Sequence, residues 1–414
     1  MKRKFILLIS MVILVATGAC FQNRSPHAQA AEVSPNQGEE TSLAAPTLVR
    51  TDFMSGLDRP WDMAFTPDGA MLFTEKCIGL SVRRANGSTA RLFGTTGSAV
   101  VASDLFCEGQ SGMHGVAIDP DFASNRTLYV YMASILSINP RTNRVVRLTV
   151  DSGYTTVADR LDIITDISYK DVGNSWSSAG AHSGGRIRFG ADGFLYVTTG
   201  DNHNGPLPQD LTKLGGKVLR VDRHGNAAPG NQTPAGGDAR IFTYGHRNVQ
   251  GIAFHPTTGQ PYIAEHGPGH SDEVTPLTAG GNGGWDPQPE AGVSCDDDYC
   301  GYISNKPDGT PTPMTDTAKF PHAMPPILVL NDSQGMGPCT FLTGSQWKGW
   351  NGRLVVGLLA ARRLDVLQLD SHGALVGTTT PDLPAERMRS VIQGPDGNLY
   401  VATDGGNIWQ VTPQ

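Results

Sequence analysis

One strand–turn–strand pattern recurs six times along the chain and limits its fold to an array of β-sheets. In each copy a short alternating apolar strand leads into a turn rich in Pro, Asp and Gly and then into a second apolar strand. The first copy turns at Pro67-Asp68-Gly69. Such alternation around a tight turn is typical of a β-hairpin. The copies centre on residues 58–73, 115–121, 186–193, 251–256, 339–356 and 390–401.

Recurrence about every 50 to 90 residues predicts radial repetition of small sheets. We therefore expect an all-β fold, a six-bladed β-propeller with four-stranded antiparallel blades. If residues 47–53 pair with residues 407–411, the sixth blade is shared between both ends of the chain. In a propeller, residues at matching places in different repeats converge at one mouth of the central channel.

Composition agrees with this fold and excludes one class of partner. The 414 residues include 50 Gly and 28 Pro, and only 17% are charged, which favours strands and turns over helices. The formal net charge is −7. Because phosphate binding needs clustered Lys and Arg, this charge argues against a general nucleic-acid-binding protein.

The N-terminus has the pattern of a secretory signal. Basic residues at positions 2–4 precede an apolar run over residues 5–16, which is too short for a membrane-spanning helix. Two processing sites compete, a lipoprotein-type site where Cys20 would be acylated and a small-x-small triplet at residues 28–30. We expect residues 1–20 to be the signal peptide, 21–46 a flexible tether and 47–414 the propeller. The protein is then exported, either periplasmic or anchored to the membrane as a lipoprotein.

The remaining cysteines suit an oxidising compartment. Cys77 and Cys107 flank the first connection between repeats and are expected to form a disulfide. Cys295 and Cys300 are close enough in sequence to form a second disulfide that clips one loop. Cys339 is then left unpaired, and we expect it to be buried.

Polar residues gather just before several of the repeats. His182 lies at a loop-to-strand junction, where a histidine acts as a general base if an acceptor fixes its tautomer; a structural hydrogen bond is the alternative. Gln110 lies in a glycine-rich stretch that suits either a ligand or a simple turn. Residues 246–250 contain four side chains that donate hydrogen bonds. A core could not satisfy them cheaply, so this cluster predicts a surface that faces a ligand.

The loop over residues 265–273 has Gly and Pro carbonyls beside acidic side chains, the oxygen-rich surroundings that Ca²⁺ takes. His266 and His270 make zinc an alternative, although they do not lie on a helix face. A plain β-turn is the simplest interpretation. The acidic triplet at residues 296–298 is another candidate calcium site, with a solvated loop as its alternative.

Arg387 and Arg389 precede or begin the last repeat, and strand alternation directs both to one face. Paired guanidinium groups suit a polycarboxylate or a phosphate. The alternative is a pair of exposed arginines that only solubilise a sheet edge.

Together these phrases resemble the soluble quinoprotein glucose and aldose sugar dehydrogenases, also called the glucose/sorbosone dehydrogenase family. The resemblance runs from about residue 49 to the C-terminus, and three separated pieces match in the family's order. They are Tyr-Gly-His-Arg-Asn-Val-Gln-Gly at 244–251, residues 209–211 followed by 216–220, and 265–268 with 272–273. The resemblance implies a six-bladed propeller that holds pyrroloquinoline quinone (PQQ) and Ca²⁺ at the channel mouth.

The same resemblance implies the chemistry. His182 would take the proton of a sugar's anomeric hydroxyl, hydride would pass to a quinone carbon, and electrons would leave to an external acceptor. Arg247 would donate to the quinone oxygen and stabilise the charge that develops there. Asp201 matches an acidic position of the family and would assist. The main-chain carbonyls of Gly267 and Pro268 would ligate the Ca²⁺ that polarises the quinone.

The resemblance also implies which side chains hold the cofactor. Gln110, Asn248 and Gln250 would bind the polar edge of the cofactor or the substrate. Arg387 and Arg389 would pair with the carboxylates of PQQ. Each assignment follows from a position in this sequence that matches the family's motif.

Two departures from the family argue against a simple transfer of glucose specificity. Where glucose-oxidising members have a cofactor-binding Lys on the fifth repeat, this chain has Leu-Ala-Ala-Arg-Arg at residues 359–363. The Lys is therefore missing or replaced by a nearby Arg, and cofactor affinity would fall. Ala181 precedes the predicted base, where the glucose enzymes have an acidic residue. We expect the sugar pocket to be built by long loops at 134–171 and 279–325.

Two other function classes fit a secreted propeller. A calcium-dependent lactonase would bind its metal through several Asp, Asn and Glu side chains from different repeats and would need no quinone. A non-catalytic interaction scaffold would not need His182, Arg247 and the paired arginines at matching places. The sugar dehydrogenase remains the favoured interpretation because the channel phrases are rich in Arg and Gln.

Overall fold

The computed structural model describes residues 44–138, 140–171, 178–293 and 301–414. The predicted signal peptide, residues 21–43 of the predicted tether, the Cys295 and Cys300 pair and the acidic triplet at 296–298 lie outside the described residues. Among the residues that are described, no helix has the length and apolar character needed to cross a bilayer.

The strands, numbered in chain order, form six sheets. Blade 1 contains β2 (Pro60–Phe65), β3 (Met71–Glu75), β4 (Gly79–Arg83), β5 (Thr89–Gly94) and β6 (Val100–Val101). Blade 2 contains β7 (Met113–Ile118), β8 (Thr127–Ser134), β9 (Thr142–Val150) and β10 (Val157–Ile167). Blade 3 contains β11 (Ile187–Phe189), β12 (Leu195–Thr198), β13 (Lys217–Val221) and β14 (Ile241–Tyr244).

The second half of the chain repeats the arrangement. Blade 4 contains β15 (Val249–Phe254), β16 (Pro261–Glu265), β17 (Asp272–Pro276) and β18 (Leu328–Leu330). Blade 5 contains β19 (Met336–Phe341), β20 (Leu354–Leu358), β21 (Arg363–Leu369) and β22 (Leu375–Thr379). Blade 6 contains β23 (Met388–Gln393), β24 (Leu399–Thr403), β25 (Ile408–Pro413) and β1 (Leu48–Met54). Two short helices are α1 (Phe122–Asn125) and a 3₁₀ helix at Ser345–Trp350.

The predicted six-bladed, antiparallel propeller is confirmed. Each of the six repeats forms the hairpin of the two innermost strands of one blade, as β2 and β3 do around the first turn. One addition was not predicted, because the two-residue strand β6 extends blade 1 by pairing in parallel with β5. The innermost strands β2, β7, β11, β15, β19 and β23 neighbour one another around the channel.

The ring closes through the pairing of the two chain ends that the sequence analysis left open. Strand β1 pairs antiparallel with β25, with Leu48 opposite Pro413 and Thr51 opposite Gln410. The sixth blade therefore takes one strand from the N-terminal end of the propeller and three from its C-terminal end. Such a closure removes the unpaired edge that an open array of sheets would leave.

Apolar side chains fill the spaces between neighbouring blades. Leu72, Val82, Val116, Val130 and Val146, from blades 1 and 2, belong to one cluster of fully buried residues. Comparable clusters lie between the other blades. Burial of this apolar area is the main force that holds the blades together.

The described cysteines agree with the prediction. Cys77, which follows β3, is joined to Cys107, and their Cα atoms are 5.4 Å apart. Cys339 has a free thiol and is buried. The disulfide ties the β3–β4 turn of blade 1 to the connection that leads into blade 2.

One expected loop is mostly sheet. The stretch 134–171 was predicted as a long pocket-building loop, but β9 and β10 occupy most of it as the outer strands of blade 2. Both strands are rich in Val, Ile and Thr, a strand signal that the sequence analysis missed. By contrast, 279–325 does lie within one long connection, between β17 and β18.

A buried ion cluster crosses the channel. Asp62 on β2 is fully buried and contacts Arg186 and Arg188 at 2.5 and 2.7 Å. Ser390 on β23 donates to the same carboxylate at 2.8 Å. Burial by itself would raise the pKa of Asp62, but the two guanidinium groups and their hydrogen bonds lower it to about 2. The cluster therefore links blades 1, 3 and 6 across the axis.

Candidate active site

A cleft of about 510 Å³ lies over the central channel. All six blades contribute to its wall, which places it on the propeller axis. The lining residues are Arg59, Trp61, Lys76, Gly109, Gln110, His114, Gly180, His182, Ser183, Gly184, Asn248, Gln250, His266, Leu359, Arg387, Arg389 and Asp404. Six of the residues predicted from the sequence are among them.

The predicted base is held by a buried carboxylate. The Nδ1 atom of His182 lies 2.7 Å from Oδ1 of Asp201, which follows β12. Asp201 is fully buried, while His182 lines the cleft. With the carboxylate as acceptor, Nδ1 of His182 carries the proton and Nε2 keeps its lone pair.

Asp201 is fixed by further donors that the sequence analysis did not identify. Its Oδ2 atom accepts hydrogen bonds from Trp285 Nε1 at 2.8 Å and from the Tyr302 hydroxyl at 2.7 Å. The backbone N–H of His203 donates to Oδ1 at 3.0 Å. A carboxyl group that accepts several hydrogen bonds does so best in its ionised form, which has acceptor sites only. Asp201 is therefore a rigid, charged support for His182.

Two histidines meet edge to face at this point. Nε2 of His203 lies 2.9 Å from Nε2 of His182, and the two rings are 71° apart. Because Nε2 of His182 has the lone pair, His203 is the donor of this hydrogen bond. Both histidines, and Asn202 between them in space, have a left-handed backbone with φ between 49° and 53°. Such strained backbone at non-glycine residues is concentrated at functional sites.

Both histidines are neutral near pH 7. Burial lowers the pKa of His182 well below its usual value, and the charges of Arg247 and His266 lower it further. Burial, with His182 next to it, lowers the pKa of His203 to about 3. Burial also raises the pKa of Asp201, against the charge of Arg247. A neutral imidazole with a free acceptor is the form that a general base requires.

Arg247 is close to the base but behind the wall of the cleft. It is buried and is not among the lining residues. Its Nη1 donates to the His266 carbonyl at 3.1 Å, whereas its buried Nε has no hydrogen-bond partner in the described parts of the chain. An unsatisfied donor on a buried cation is costly, so the position suits a group that supplies an acceptor.

The predicted amide side chains line the cleft together. Asn248 Oδ1 accepts hydrogen bonds from Gln250 Nε2 at 3.1 Å and from the Gly184 N–H at 3.2 Å. Gln110 lies on the opposite wall with an exposed side chain, and its N–H donates to the Ala179 carbonyl at 2.8 Å. A Cβ atom at Gly109 would lie 2.6 Å from that carbonyl, so this approach requires glycine.

Both arginines of the predicted pair line the cleft, Arg387 directly before β23 and Arg389 within it. Arg389 makes two hydrogen bonds of 2.8 Å to the two oxygens of Asp404, and Arg387 makes one of 2.8 Å. Burial would raise the pKa of Asp404, but the two guanidinium groups hold it below the usual range. The sequence analysis did not foresee this shared carboxylate, which fixes both arginines in place.

Blade 1 contributes three lining residues that the sequence analysis missed. Trp61 stacks on His114 with ring centroids 4.6 Å apart and an interplanar angle of 8°. The Lys76 ammonium donates to the Gly109 carbonyl. Arg59 pairs with Asp58 at 3.0 Å. A flat aromatic face beside several cations suits a planar, anionic ligand.

The predicted metal loop is closely folded. Asp272 Oδ1 accepts the Gly267 N–H at 2.8 Å, and a Cβ atom at Gly267 would lie 1.8 Å from the His270 carbonyl. Neither the Gly267 nor the Pro268 carbonyl accepts a backbone hydrogen bond from the described residues. Both stay available as oxygen ligands directly beyond His266, which lines the cleft.

The acidic side chains near this loop are already engaged. Glu265 accepts hydrogen bonds from the backbone N–H groups of Arg247 and Asn248. The described parts of the chain contain no group of three or more His, Cys, Asp or Glu side chains that could hold a metal.

The blade 5 stretch does not bring a cation to the cleft. Leu359 is its lining residue. Arg362 lies 4.0 Å from Glu386, and Arg363 pairs with Asp365 at 2.9 Å. Neither arginine is among the residues that line the cavity, so neither replaces the family's Lys at this wall.

Comparison with known proteins agrees with this geometry. Residues 57–410 match the family model described as Glucose / Sorbosone dehydrogenase. The chain belongs to the glucose/sorbosone dehydrogenase family. It is therefore an oxidoreductase of the sugar dehydrogenase type, and the resemblance read from the sequence is confirmed.

Relatives of this chain include two named sugar dehydrogenases. The aldose sugar dehydrogenase YliI of Escherichia coli K12 is 30% identical over 381 residues, which cover 90% of this chain and 95% of that protein. Quinoprotein glucose dehydrogenase B of Acinetobacter calcoaceticus is 27% identical and covers 86% of this chain and 85% of its own. The crystal structure of the E. coli aldose sugar dehydrogenase in its apo form superposes with a TM-score of 0.73 at 25% identity, covering 89% of this chain and 100% of that one.

Proposed function

We propose that this protein is a PQQ- and calcium-dependent aldose sugar dehydrogenase. It would oxidise the anomeric hydroxyl of an aldose to the lactone, and the electrons would pass to an external acceptor. The observation that carries the proposal is the His182–Asp201 pair, which opens onto a cation-lined cleft at the channel mouth. The family relationship and the name of the A. calcoaceticus relative support the choice of a quinone.

The described residues fit PQQ, a planar tricarboxylic quinone. Arg387 and Arg389 offer guanidinium groups for its carboxylates. Asn248 and Gln250 line the cleft and offer amides for its polar edge. The buried Nε of Arg247 has no acceptor among the residues that the structure describes, and a ligand oxygen would satisfy it. When bound, the quinone supplies the two-electron acceptor that amino-acid side chains lack.

The protein's own part in the reaction is to hold the sugar and remove one proton. His182 accepts the hydroxyl proton at Nε2, which requires the sugar hydroxyl to replace His203 as its donor. Asp201 stabilises the imidazolium that forms and keeps the ring in the productive orientation. A positioned base of this kind contributes about 10²–10⁴-fold to the rate. The hydrogen on the anomeric carbon would leave as hydride with both electrons of the oxidation, which the quinone would accept, and the hydroxyl proton carries none.

Calcium is proposed to bind at the main-chain carbonyls of Gly267 and Pro268. Two observations support this site. The turn around Gly267 is tight, and no backbone N–H of the described residues donates to either carbonyl. Oxygen atoms of this kind are the usual ligands of Ca²⁺. The ion would polarise a neighbouring carbonyl as a Lewis acid.

Export is also proposed, with either a free periplasmic protein or a lipoprotein anchored through Cys20. The basic and apolar N-terminal pattern motivates this, and the Cys77–Cys107 disulfide suits an oxidising compartment. Mass spectrometry of the mature protein separates the alternatives. An acylated N-terminal Cys20 identifies the lipoprotein, and cleavage after residue 30 identifies the soluble form.

The proposed function is tested by reconstitution. Purified apoprotein is mixed with PQQ and Ca²⁺, and reduction of an artificial dye is followed with a panel of aldoses. We expect dye reduction that needs both additions, with no hydrolysis of sugar lactones in a parallel assay. Failure to reduce dye with any aldose would refute the proposal, and chelator-sensitive lactone hydrolysis would support the lactonase instead.

A further inference from the structure

The wall of the cleft has more cations than its own carboxylate can balance. Arg59, Lys76, Arg387 and Arg389 line the cavity, and Asp404 is the one lining acid. Asp404, together with Asp58, the partner of Arg59, offsets two of these four charges, so two positive charges remain. This excess indicates a ligand with several negative charges.

Among these cations, Lys76 is the one with no carboxylate of the described residues within ion-pair distance. Arg387 and Arg389 share Asp404, and Arg59 pairs with Asp58. Lys76 makes no ion pair with the described residues, and its ammonium donates to one neutral acceptor, the Gly109 carbonyl. An ammonium group has three donors, so two are left for a ligand in the cleft.

The backbone around Lys76 is fixed from several sides. Its N–H donates to the Arg59 carbonyl at 3.2 Å, and its carbonyl accepts the Met113 N–H at 2.8 Å. The next residue is Cys77, whose disulfide reaches Cys107 close to Gly109. A Cβ atom at Gly112 would lie 2.3 Å from the Lys76 carbonyl, so the two segments are in close contact. A ligand that meets Lys76 therefore meets a pre-positioned cation, which lowers the entropic cost of binding.

We propose that Lys76 of blade 1 binds a carboxylate of PQQ and supplies the ammonium that blade 5 lacks in this chain. The proposal rests on the proposed function, because it assumes that the ligand is the quinone. Leu359 is the lining residue of blade 5, and the arginines that follow it pair with Glu386 and Asp365. Arg59, next to Lys76, adds a second charge to the same wall.

The test measures PQQ binding and not turnover. Apoprotein with Ca²⁺ is titrated with PQQ, and quenching of tryptophan fluorescence, to which Trp61 in the cleft contributes, gives the Kd. Lys76→Met keeps the length of the side chain and removes its charge, so we expect a Kd about tenfold higher or more. Lys76→Arg should restore most of the affinity. Lys213→Met, an exposed lysine outside the cleft, should bind PQQ as the wild type does.

A second ligand identifies the carboxylate as the partner. The trimethyl ester of PQQ has no carboxylate charge, so wild type and Lys76→Met should bind it equally. Circular dichroism and the Tm of each variant establish that the fold is kept.

The outcomes separate the two proposals. If the wild type binds PQQ and Lys76→Met binds it within about twofold, the role of Lys76 is refuted and the proposed function stands. If the loss in Lys76→Met is the same for PQQ and its ester, the charge pairing is refuted. If the wild type does not bind PQQ, the proposed function fails, and the inference fails with it.

Discussion

His182 and Asp201 lie 19 positions apart in the sequence, yet Nδ1 of the histidine is 2.7 Å from Oδ1 of the aspartate. The histidine lines the cleft, and the aspartate is buried behind it with Trp285 and Tyr302 as donors. This arrangement gives a base whose tautomer and orientation are set before any substrate arrives.

Asp201→Asn should lower kcat by about 100-fold or more, because the neutral amide cannot stabilise the imidazolium that forms on His182. The side chain keeps its shape, so PQQ affinity should stay close to the wild-type value. Steady-state kinetics at saturating PQQ, with the Kd measured on the same sample, checks both expectations. A variant that keeps kcat within about threefold would show that Asp201 does not assist the base.

The pH dependence follows from the environment of His182. Burial lowers its pKa well below the usual value, and the charges of Arg247 and His266 lower it further. The neutral form is the active base, so protonation abolishes activity, and a lowered pKa moves that loss to more acid pH. We expect kcat/KM to stay level down through the usual histidine pKa, about 6.5. An acid limb centred near that value in the wild type would contradict this account.

Much of the fold could be predicted because its determinants are local. The turn at residues 67–69 specifies a hairpin whatever the rest of the chain does, and the copies reveal the number of blades. The resemblance found His182 and Asp201 by their positions in motifs, and the structure brings them together.

Other features depend on contacts between distant residues, which no local sequence pattern predicts. Trp285 and Tyr302 come from a long connection without periodicity, yet both donate to Asp201. The sequence analysis did not single out Lys76, whose contact with the Gly109 carbonyl joins positions more than 30 residues apart. Asp62 is an exception, since an acid within an apolar inner strand signals a buried cation nearby.

The channel cluster should contribute to stability. Asp62→Ala leaves Arg186 and Arg188 buried without their carboxylate, which typically costs about 3–5 kcal/mol. Asp52→Ala is the matched control, because Asp52 belongs to an exposed pair with Arg50 worth about 0–1 kcal/mol. Urea unfolding of both variants gives the comparison. Equal losses would mean that the buried cluster adds nothing beyond a surface pair.

The pKa of Asp62 also predicts the pH range over which its contribution to the free energy of unfolding is lost. The pKa of Asp62 is about 2 in the folded protein, below the unfolded value of about 3.9. Its contribution is therefore complete above the unfolded value and is lost as the pH falls from about 4 toward 2. The stability difference between wild type and Asp62→Asn should narrow over this range. A difference that stays constant there would assign the stability to another group.

The Cys77–Cys107 disulfide should affect both stability and the cleft. Replacing both cysteines by serine removes a cross-link between positions 30 residues apart, a change expected to cost about 2–4 kcal/mol. The β3–β4 turn, with Lys76, would also lose its tie to the segment around Gly109. Thermal unfolding and PQQ titration of the double variant check the two effects. Unchanged affinity would show that the backbone hydrogen bonds alone position Lys76.

The most direct test of the account follows the bound cofactor through one turnover. Wild type and His182→Ala are loaded with PQQ and Ca²⁺, mixed anaerobically with an aldose and followed by absorbance. We predict rapid reduction of PQQ in the wild type and reduction at least about 100-fold slower in His182→Ala, with PQQ still bound to both. The account would be contradicted if bound PQQ stayed oxidised in the wild type with every aldose. Equal rates of PQQ reduction in the two proteins would also contradict it.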